Sequence, residues 1–154
     1  MTALRSIALV LAAVSVASTA AAQERKIRRR DLPATVARTV AAERHGATVR
    51  GYSEEKENGR TFFEAELVAH GRTRDILIDS SGAVVEVEEQ VKLSALPAAV
   101  QAGLRAAAGS GKITKVESLT KLGQLVAYEA QVTTHGKRSE VQVGPDGKPL
   151  AHEQ

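Results

Sequence analysis

Apolar and polar residues alternate along the segment Arg60 to Ala69, which is typical of a β-strand with one buried face. Phe63, Ala65 and Leu67 fall on one side of this strand. The other side carries Phe62, Glu64, Glu66 and Val68. The pair Asn58-Gly59 just before it predicts a tight hairpin, which joins this strand to a more polar one over residues 50–57.

The same pattern occurs a second time further along the chain. Leu32-Pro33-Ala34 recurs 64 residues later as Leu96-Pro97-Ala98, and Phe63-Glu64-Ala65 recurs 65 residues later as Tyr128-Glu129-Ala130. A unit of this length would be marginally stable alone. We therefore expect the two copies to share a sheet or to pack as one body.

Each copy begins with a short amphipathic helix. In the first copy Leu32, Val36 and Val40 form an apolar stripe at helical spacing. Gly46 and Gly109 follow the two helical segments and are suited to end them, because glycine readily adopts the left-handed conformation found after many helices. The second copy repeats the stripe with Leu96, Val100 and Leu104.

These elements predict an α+β fold made of two tandem units, residues 31–90 and 91–154. Each unit is expected to contain one helix followed by an antiparallel meander of about four strands. The apolar stripe of the helix then packs on one face of the sheet.

The first 22 residues have the features of a signal peptide. Arg5 gives a positive start, an apolar run follows from Ile7 to Ala17, and Ala20-Ala21-Ala22 supplies small residues for cleavage. The run is too short to span a bilayer comfortably, which takes roughly 20 apolar residues. We predict a periplasmic or secreted protein, with no transmembrane segment after cleavage near Ala22.

Residues 23–30 form a basic N-terminal tail. Its cationic side chains are Arg25, Lys26, Arg28, Arg29 and Arg30. Such a run at a newly cleaved terminus is expected to be disordered. The alternative is a weak contact of the tail with an anionic envelope surface.

Composition narrows the chemistry further. The chain has no cysteine, which excludes disulfides, thiolate metal sites and cysteine nucleophiles. Its formal net charge of +3 is a mild excess and does not indicate a nucleic-acid partner. The glycines of Gly109-Ser110-Gly111-Lys112 follow a helix instead of preceding one, and Ile113 replaces the magnesium-binding hydroxyl of a phosphate loop. We expect no enzyme activity, no catalytic residue and no cofactor.

The repeated motif resembles a known family. It consists of Leu-Pro-Ala before a short helix, then Phe-Glu-Ala or Tyr-Glu-Ala, a turn glycine, an alternating strand and a final turn glycine. This motif is similar to that of the PepSY-like, β-lactamase-inhibitor-like secreted proteins in tandem arrangement. The resemblance covers nearly all of residues 31–154. It implies a secreted α+β module that binds proteins or inhibits hydrolases, with no catalytic residues to transfer. The family's last turn tends to read Asp-x-Asp-Gly, and each copy here retains half of it.

His70 and His135 occupy equivalent positions in the two copies and raise the question of a metal site. One ligand in each copy is not a site, since zinc usually needs at least three protein ligands. Each histidine precedes a glycine, so we interpret both pairs as hairpin turns.

The turns that contain Gly82 and Gly147 raise a similar question about calcium. Asp79-Ser80-Ser81-Gly82 and Pro145-Asp146-Gly147 lack the alternating oxygen ligands and the final glutamate of a calcium loop. Both are interpreted as structural turns. We therefore predict no metal site.

The strongest functional indication is the sheet face that the helices leave uncovered. Apolar residues surrounded by charged ones are typical of protein-binding surfaces. The alternative is that the second copy, or a second molecule, covers this face. The candidate partner-binding face comprises Phe62, Glu64, Glu66, Val68, Arg74, Leu77, Glu129, Gln131 and Gln142.

Two functions are consistent with this sequence. The first is an exported, non-catalytic protein-binding module that inhibits or regulates a peptidase or another envelope hydrolase. The alternative is a periplasmic sensor of a small ligand or cation, bound at the turns of His70 and His135.

Overall fold

Eight strands follow one another in chain order across one antiparallel sheet in the computed structural model, which describes residues 23–152 and 154. The predicted signal peptide, residues 1–22, lies outside the described residues. None of the helices described has both the length and the apolar character needed to cross a membrane. The strands are β1 (Gln23–Ile27), β2 (Thr48–Glu57), β3 (Arg60–Ala69), β4 (Arg72–Asp79), β5 (Val84–Gln90), β6 (Lys112–Lys121), β7 (Gln124–Thr134) and β8 (Lys137–Val143).

Two α-helices interrupt the succession of strands. Helix α1 (Ala34–Glu43) connects β1 to β2, and α2 (Ala98–Ala108) connects β5 to β6. A single 3₁₀ turn precedes each helix, at Arg29–Asp31 and Leu93–Ala95. The sequence repeat therefore corresponds to strand, 3₁₀ turn, helix and three strands.

The expected unit of one helix followed by about four strands needs revision. Four strands follow α1, but three follow α2 in the described residues, where the bridge between Val143 and Pro149 takes the place of a fourth pairing. Strand β5 ends the first meander and is also the β1 equivalent of the second repeat. The two copies share one sheet, as expected, because β5 pairs with β6.

The sequence predicted a disordered basic tail, and this prediction is wrong for residues 23–27. Residues 23–27 form edge strand β1, which pairs antiparallel with β2. Arg25 forms an ion pair of 3.0 Å with Glu54, and Lys26 lies between Glu24 and Glu66. Main-chain pairing with β2, together with ion pairs to Glu54 of β2 and Glu66 of β3, therefore orders this segment. Contact of the remaining arginines with an anionic surface stays a prediction.

Both helices pack on the same face of the sheet, which we call the helix face. Val36 and Val40 of α1 are buried against β3 and β4, and Val100 and Leu104 of α2 are buried against β6, β7 and β8. The predicted phase of β3 is confirmed, since its buried core residues are Phe63, Ala65 and Leu67. The equivalent residues of β7 that line the second core are Tyr128, Ala130 and Val132.

The predicted hairpin turns are also confirmed. Asn58 has φ of 48° and Gly59 has φ of 76°. His70 and His135 both have φ of 50°, and each is followed by a glycine of positive φ. These histidines are therefore turn residues, in a conformation that histidine tolerates better than most side chains.

The turn after β8 packs directly on α2. A Cβ added to Gly103 of α2 would lie 2.0 Å from the carbonyl oxygen of Gly147, and one added to Gly147 would lie 2.3 Å from the carbonyl oxygen of Ala99. In the first repeat the equivalent helix residue is Thr39, whose hydroxyl donates to the carbonyl oxygen of Gly82 at 2.7 Å. Helix and turn are thus held together by a hydrogen bond in one repeat and by close backbone contact in the other.

We predict that Gly103→Ala destabilises the protein by about 1–3 kcal/mol, because the new methyl group overlaps rigid backbone. Helix propensity alone would favour alanine by about 1 kcal/mol, so the sign of the change distinguishes the two effects. Urea denaturation followed by circular dichroism measures it. Ala102→Gly, at an exposed position of the same helix, calibrates the propensity effect, and a stabilised Gly103→Ala protein would contradict the close contact.

Candidate functional site

The sheet face opposite the helices, which we call the open face, carries the candidate site. Because side chains alternate along each strand, the residues between core positions all point to this face. The strand register then aligns them in rows across the sheet. One row runs through Glu66, Asp75, Glu88 and Leu119, and the next runs through Gln90, Glu117 and Glu129.

Carboxylates dominate the open face. Each of the strands from β2 to β7 contributes at least one acidic residue to it, at positions that the register brings side by side. They include Glu55, Glu64, Glu66, Asp75, Glu86, Glu88, Glu117 and Glu129.

Cations and hydroxyls satisfy part of this negative charge. Lys26 bonds to Glu66, and Lys121 lies 3.3 Å from Glu86. At the centre, the buried hydroxyl of Ser53 donates to Glu64 at 2.7 Å. Carboxyl groups still outnumber cations in the middle of the acidic region.

The densest cluster contains Asp75, Glu88 and Glu117, one from each of three neighbouring strands. Their carboxylate oxygens lie within 4.8 Å of one another. Glu117 is 4% exposed, and it receives the ammonium of Lys115 at 2.6 Å and the hydroxyl of Thr73 at 3.4 Å. The cluster therefore has one internal cation for three carboxyl groups.

Burial and mutual repulsion shift the protonation of this cluster. Desolvation, followed by the charge of Glu117, raises the pKa of Glu88 to about 8. Desolvation, followed by the charge of Glu64, raises the pKa of Asp75 to about 6. The pKa of Glu55 is raised for the same two kinds of reason. At neutral pH Glu88 is largely protonated, so a proton supplies part of the charge compensation there.

The cluster has the oxygen donors that hard divalent cations prefer, but it supplies few of them. Calcium takes six to eight oxygen ligands, and three carboxyl groups provide fewer unless several bind through both oxygens. One of the three, Glu117, already binds the ammonium of Lys115. The described geometry thus suits a mobile or external cationic group better than a dedicated calcium cage.

The turns of His70 and His135 do not form a joint site. The first connects β3 to β4 and the second connects β7 to β8, so four strand spacings separate them. At about 4.8 Å for each spacing, the distance along the sheet is roughly 19 Å. One ion or small ligand cannot be held by both turns.

Eight of the nine residues predicted for the partner-binding face lie on the open face, and Arg74 does not. Arg74 is opposite Leu67 in the register and therefore points to the helix face. Its guanidinium donates to the main-chain and side-chain oxygens of Glu43 at 3.0 Å each, which ties β4 to the end of α1. The error follows from the strand period, because Arg74 has the same phase as the core residues Ile76 and Ile78.

The apolar part of the open face is less exposed than expected. Phe62 is only 8% exposed, and the guanidinium of Arg60 stacks over its ring at 4.9 Å from the centroid. Leu77 is half-buried between Glu64 and Glu86. Leu77 is therefore more accessible than Phe62.

Sequence reasoning missed the central cluster. Asp75, Glu88, Lys115 and Glu117 were not among the predicted residues, because the strands that carry them are brought together only by the register. A signal was present in the segment Val84–Gln90, where glutamate alternates with valine in phase with the open face.

Neither protein-family models nor curated proteins match this sequence. Solved structures do match it. A BLIP-like protein from Bacteroides fragilis is 17% identical, with a TM-score of 0.58, and the match covers 80% of this chain and 85% of that one. A Bacteroides eggerthii protein described as periplasmic is 16% identical, with a TM-score of 0.61, and coverage of 77% and 86%. A DUF2874 family protein from Bacteroides uniformis is 15% identical, with a TM-score of 0.60, and coverage of 75% and 84%.

The chain shares the fold of these proteins. The match shows the fold alone, and the resemblance of the sequence to PepSY-like, β-lactamase-inhibitor-like proteins stays a prediction. The predicted export to the periplasm agrees with the description of the Bacteroides eggerthii protein.

We predict that Glu88→Gln stabilises the protein at pH 8. The folded-state pKa of Glu88 lies above its ordinary value of 4.5, so the folded protein binds this proton more tightly than the unfolded chain does. This contribution is fully present below about pH 4.5 and is lost as the pH rises towards 8. The neighbouring charges that act on Glu88 in this range are Glu117, Glu129, Glu86 and Asp75, and Lys115 pairs with Glu117.

The gain is expected to be about 1–2 kcal/mol at pH 8 and close to zero at pH 4, because solvent screening reduces the full effect of the shift. Urea midpoints at the two pH values measure it. Glu140→Gln, at an exposed position on β8, serves as the control. Equal midpoints for native protein and Glu88→Gln at pH 8 would show that the folded structure does not raise the pKa of Glu88.

Proposed function

We propose that this chain is a non-catalytic protein-binding module of the periplasm whose open face docks on a peptidase or another envelope hydrolase and inhibits or regulates it. The observation that carries the proposal is the concentration of carboxyl groups around an accessible leucine at the centre of that face. The absence of cysteine and of any cofactor motif in the sequence supports a role without catalysis.

The centre of the open face is a recess of about 200 Å³. The residues that line it are Glu55, Glu64, Asp75, Leu77, Glu86 and Glu88. A recess with acidic walls and an apolar patch suits a lysine or arginine side chain, whose aliphatic stem packs on Leu77 while its charged end bonds to carboxylates. The partner is therefore expected to present a basic residue on a protruding loop.

Charge compensation gives such a partner a source of binding energy. A cation that enters the recess replaces the proton on Glu88 and relieves repulsion among Asp75, Glu88 and Glu117. Binding should then release a proton near neutral pH, and it should weaken as salt concentration rises. Apolar contact at Leu77 adds a component that is insensitive to salt.

The choice of a hydrolase as partner rests on resemblance. The repeated sequence motif is similar to that of β-lactamase-inhibitor-like proteins, and one solved structure of the same fold is described as BLIP-like. A regulator of this kind needs a surface complementary to its partner and no catalytic activity.

The proposal predicts that Leu77→Ala combined with Glu86→Lys removes partner capture. The chain from residue 23 onward is immobilised, exposed to envelope extract, and the retained proteins are identified by mass spectrometry. Because Leu77→Ala removes a half-buried side chain from the sheet, Glu86→Lys is also tested singly, and a melting curve checks the fold of each variant. Arg38→Gln, exposed on the opposite side of the molecule, is the matched control.

The expected result is a hydrolase that native protein and Arg38→Gln retain and that the open-face variants lose by about tenfold or more. Addition of native protein to that purified hydrolase should reduce its activity. Retention by all variants would eliminate the open face as the binding surface. Retention of a hydrolase whose activity is unchanged would eliminate inhibition.

A further inference from the structure

A second concave surface lies on the opposite side of the sheet, between α1 and the first residues of β2. This groove has a volume of about 400 Å³. Its arginines are Arg29, just before α1, and Arg44, just after it. The apolar side chains that line it include Leu32, Ala37, Ala41, Ala47, Val49 and Tyr52, and polar groups form the larger share of its exposed surface.

Within the described part of the chain, the two arginines have no anionic partner. Neither Arg29 nor Arg44 takes part in a side-chain hydrogen bond or ion pair within residues 23–152. Helix α1 has ten residues and is therefore about 15 Å long, which places one guanidinium near each end of the groove. The groove thus offers two separated positive charges with apolar surface between them.

The edge of the sheet is also open beside this groove. Strand β1 pairs with β2 only from Tyr52 onward, because the chain turns away after Ile27. The outer edge of β2 between Thr48 and Gly51 has no neighbouring strand in the described part of the chain. Its outward-facing backbone groups are available to an added strand.

The second repeat shows that these features are not a requirement of the fold. At an offset of 64 residues, Leu93 and Ala108 replace the two arginines. Gln101 and Arg105 replace Ala37 and Ala41, and the Gln101 amide donates to the carbonyl oxygen of Leu96. The residues that line the depression there include Leu93, Arg105 and Ile113, and Arg105 is the single residue of α2 among them.

We propose that the groove of the first repeat binds an extended peptide with acidic residues towards both ends and apolar residues between them, which adds as a strand to the free edge of β2. The four residues from Thr48 to Gly51 span about 13 Å, close to the separation of the two arginines along α1. Backbone hydrogen bonds to β2 provide affinity, and the arginines select the acidic residues.

The three features together favour a peptide over a lipid or a small anion. A hydrocarbon chain would cover the apolar side chains, but its single headgroup would leave one arginine and the strand edge unused. A small anion would use one arginine and none of the apolar side chains. An extended acidic peptide uses all three features, and its surface chemistry is opposite to that of the basic partner proposed for the open face.

The test is selection from a displayed library of random seven-residue peptides on the immobilised chain from residue 23, with affinities of enriched peptides measured by fluorescence anisotropy. We expect enrichment of peptides with aspartate or glutamate near both ends and valine, isoleucine or leucine between them. Arg29→Gln with Arg44→Gln should weaken their binding by about tenfold.

A second variant tests the position of the peptide. Ala37→Gln with Ala41→Arg introduces the residues that the second repeat carries at the same places, so it is compatible with the fold and should block the groove. Arg38→Gln, exposed on the same helix, is the control and should bind as native protein does.

Three results would overturn the proposal. The first is enrichment of basic peptides alone, which would indicate the open face. The second is unchanged affinity after Ala37→Gln with Ala41→Arg. The third is a melting temperature raised by sodium decanoate but not by decanol, with no peptide enriched, which would assign the groove to a small amphipathic anion. Loss of capture at the open face has no bearing on these outcomes.

Discussion

A sheet with helices on one side places every second side chain of each strand on the other side, and this alternation governs the whole molecule. The helix face collects the apolar residues of two cores, one under α1 and one under α2. The side chains at the intervening positions then all lie on the open face. Glutamate occupies those positions in successive strands, and the register aligns the side chains into adjacent rows. A surface with a single dominant charge is the result.

Without counterions, this surface lowers the stability of the folded protein. Carboxyl groups in neighbouring strands repel one another, and partial burial removes the water that would screen them. The protein reduces this repulsion in three ways, with lysines that pair with carboxylates, with hydroxyl donors such as Ser53, and with a retained proton on Glu88. A surface that remains compensated only in part favours association with a basic partner, which is why electrostatics and not apolar area defines the candidate site.

Local pattern predicted the parts of this structure that depend on neighbours in sequence. The Asn58-Gly59 turn, the phase of Phe63 to Leu67 and the buried stripe of Val36 and Val40 all follow from spacing of two or between three and four residues. The internal repeat also predicted that the two copies form one body. The prediction for Arg74 was wrong although its position has the same phase as Ile76 and Ile78.

Contacts between distant segments could not be read in the same way. The order of β1 depends on its pairing with β2, which lies about thirty positions away, and the carboxyl cluster depends on the register of β4, β5 and β6. Likewise, the groove beside α1 requires the chain to leave the sheet at Ile27. The sequence pattern does not predict this departure. The second repeat has the same elements without the two arginines, so this groove is not part of the architecture that the repeats share.

Every strand in this sheet pairs only with strands adjacent to it in the chain. Most pairings therefore close a turn of a few residues, and the two longer connections each contain a helix that forms locally. Such a topology has a low contact order for a structure rich in β-sheet, which favours rapid folding. A chain that emerges unfolded from export can assemble this sheet strand by strand from either repeat, with little time spent exposing its apolar edges.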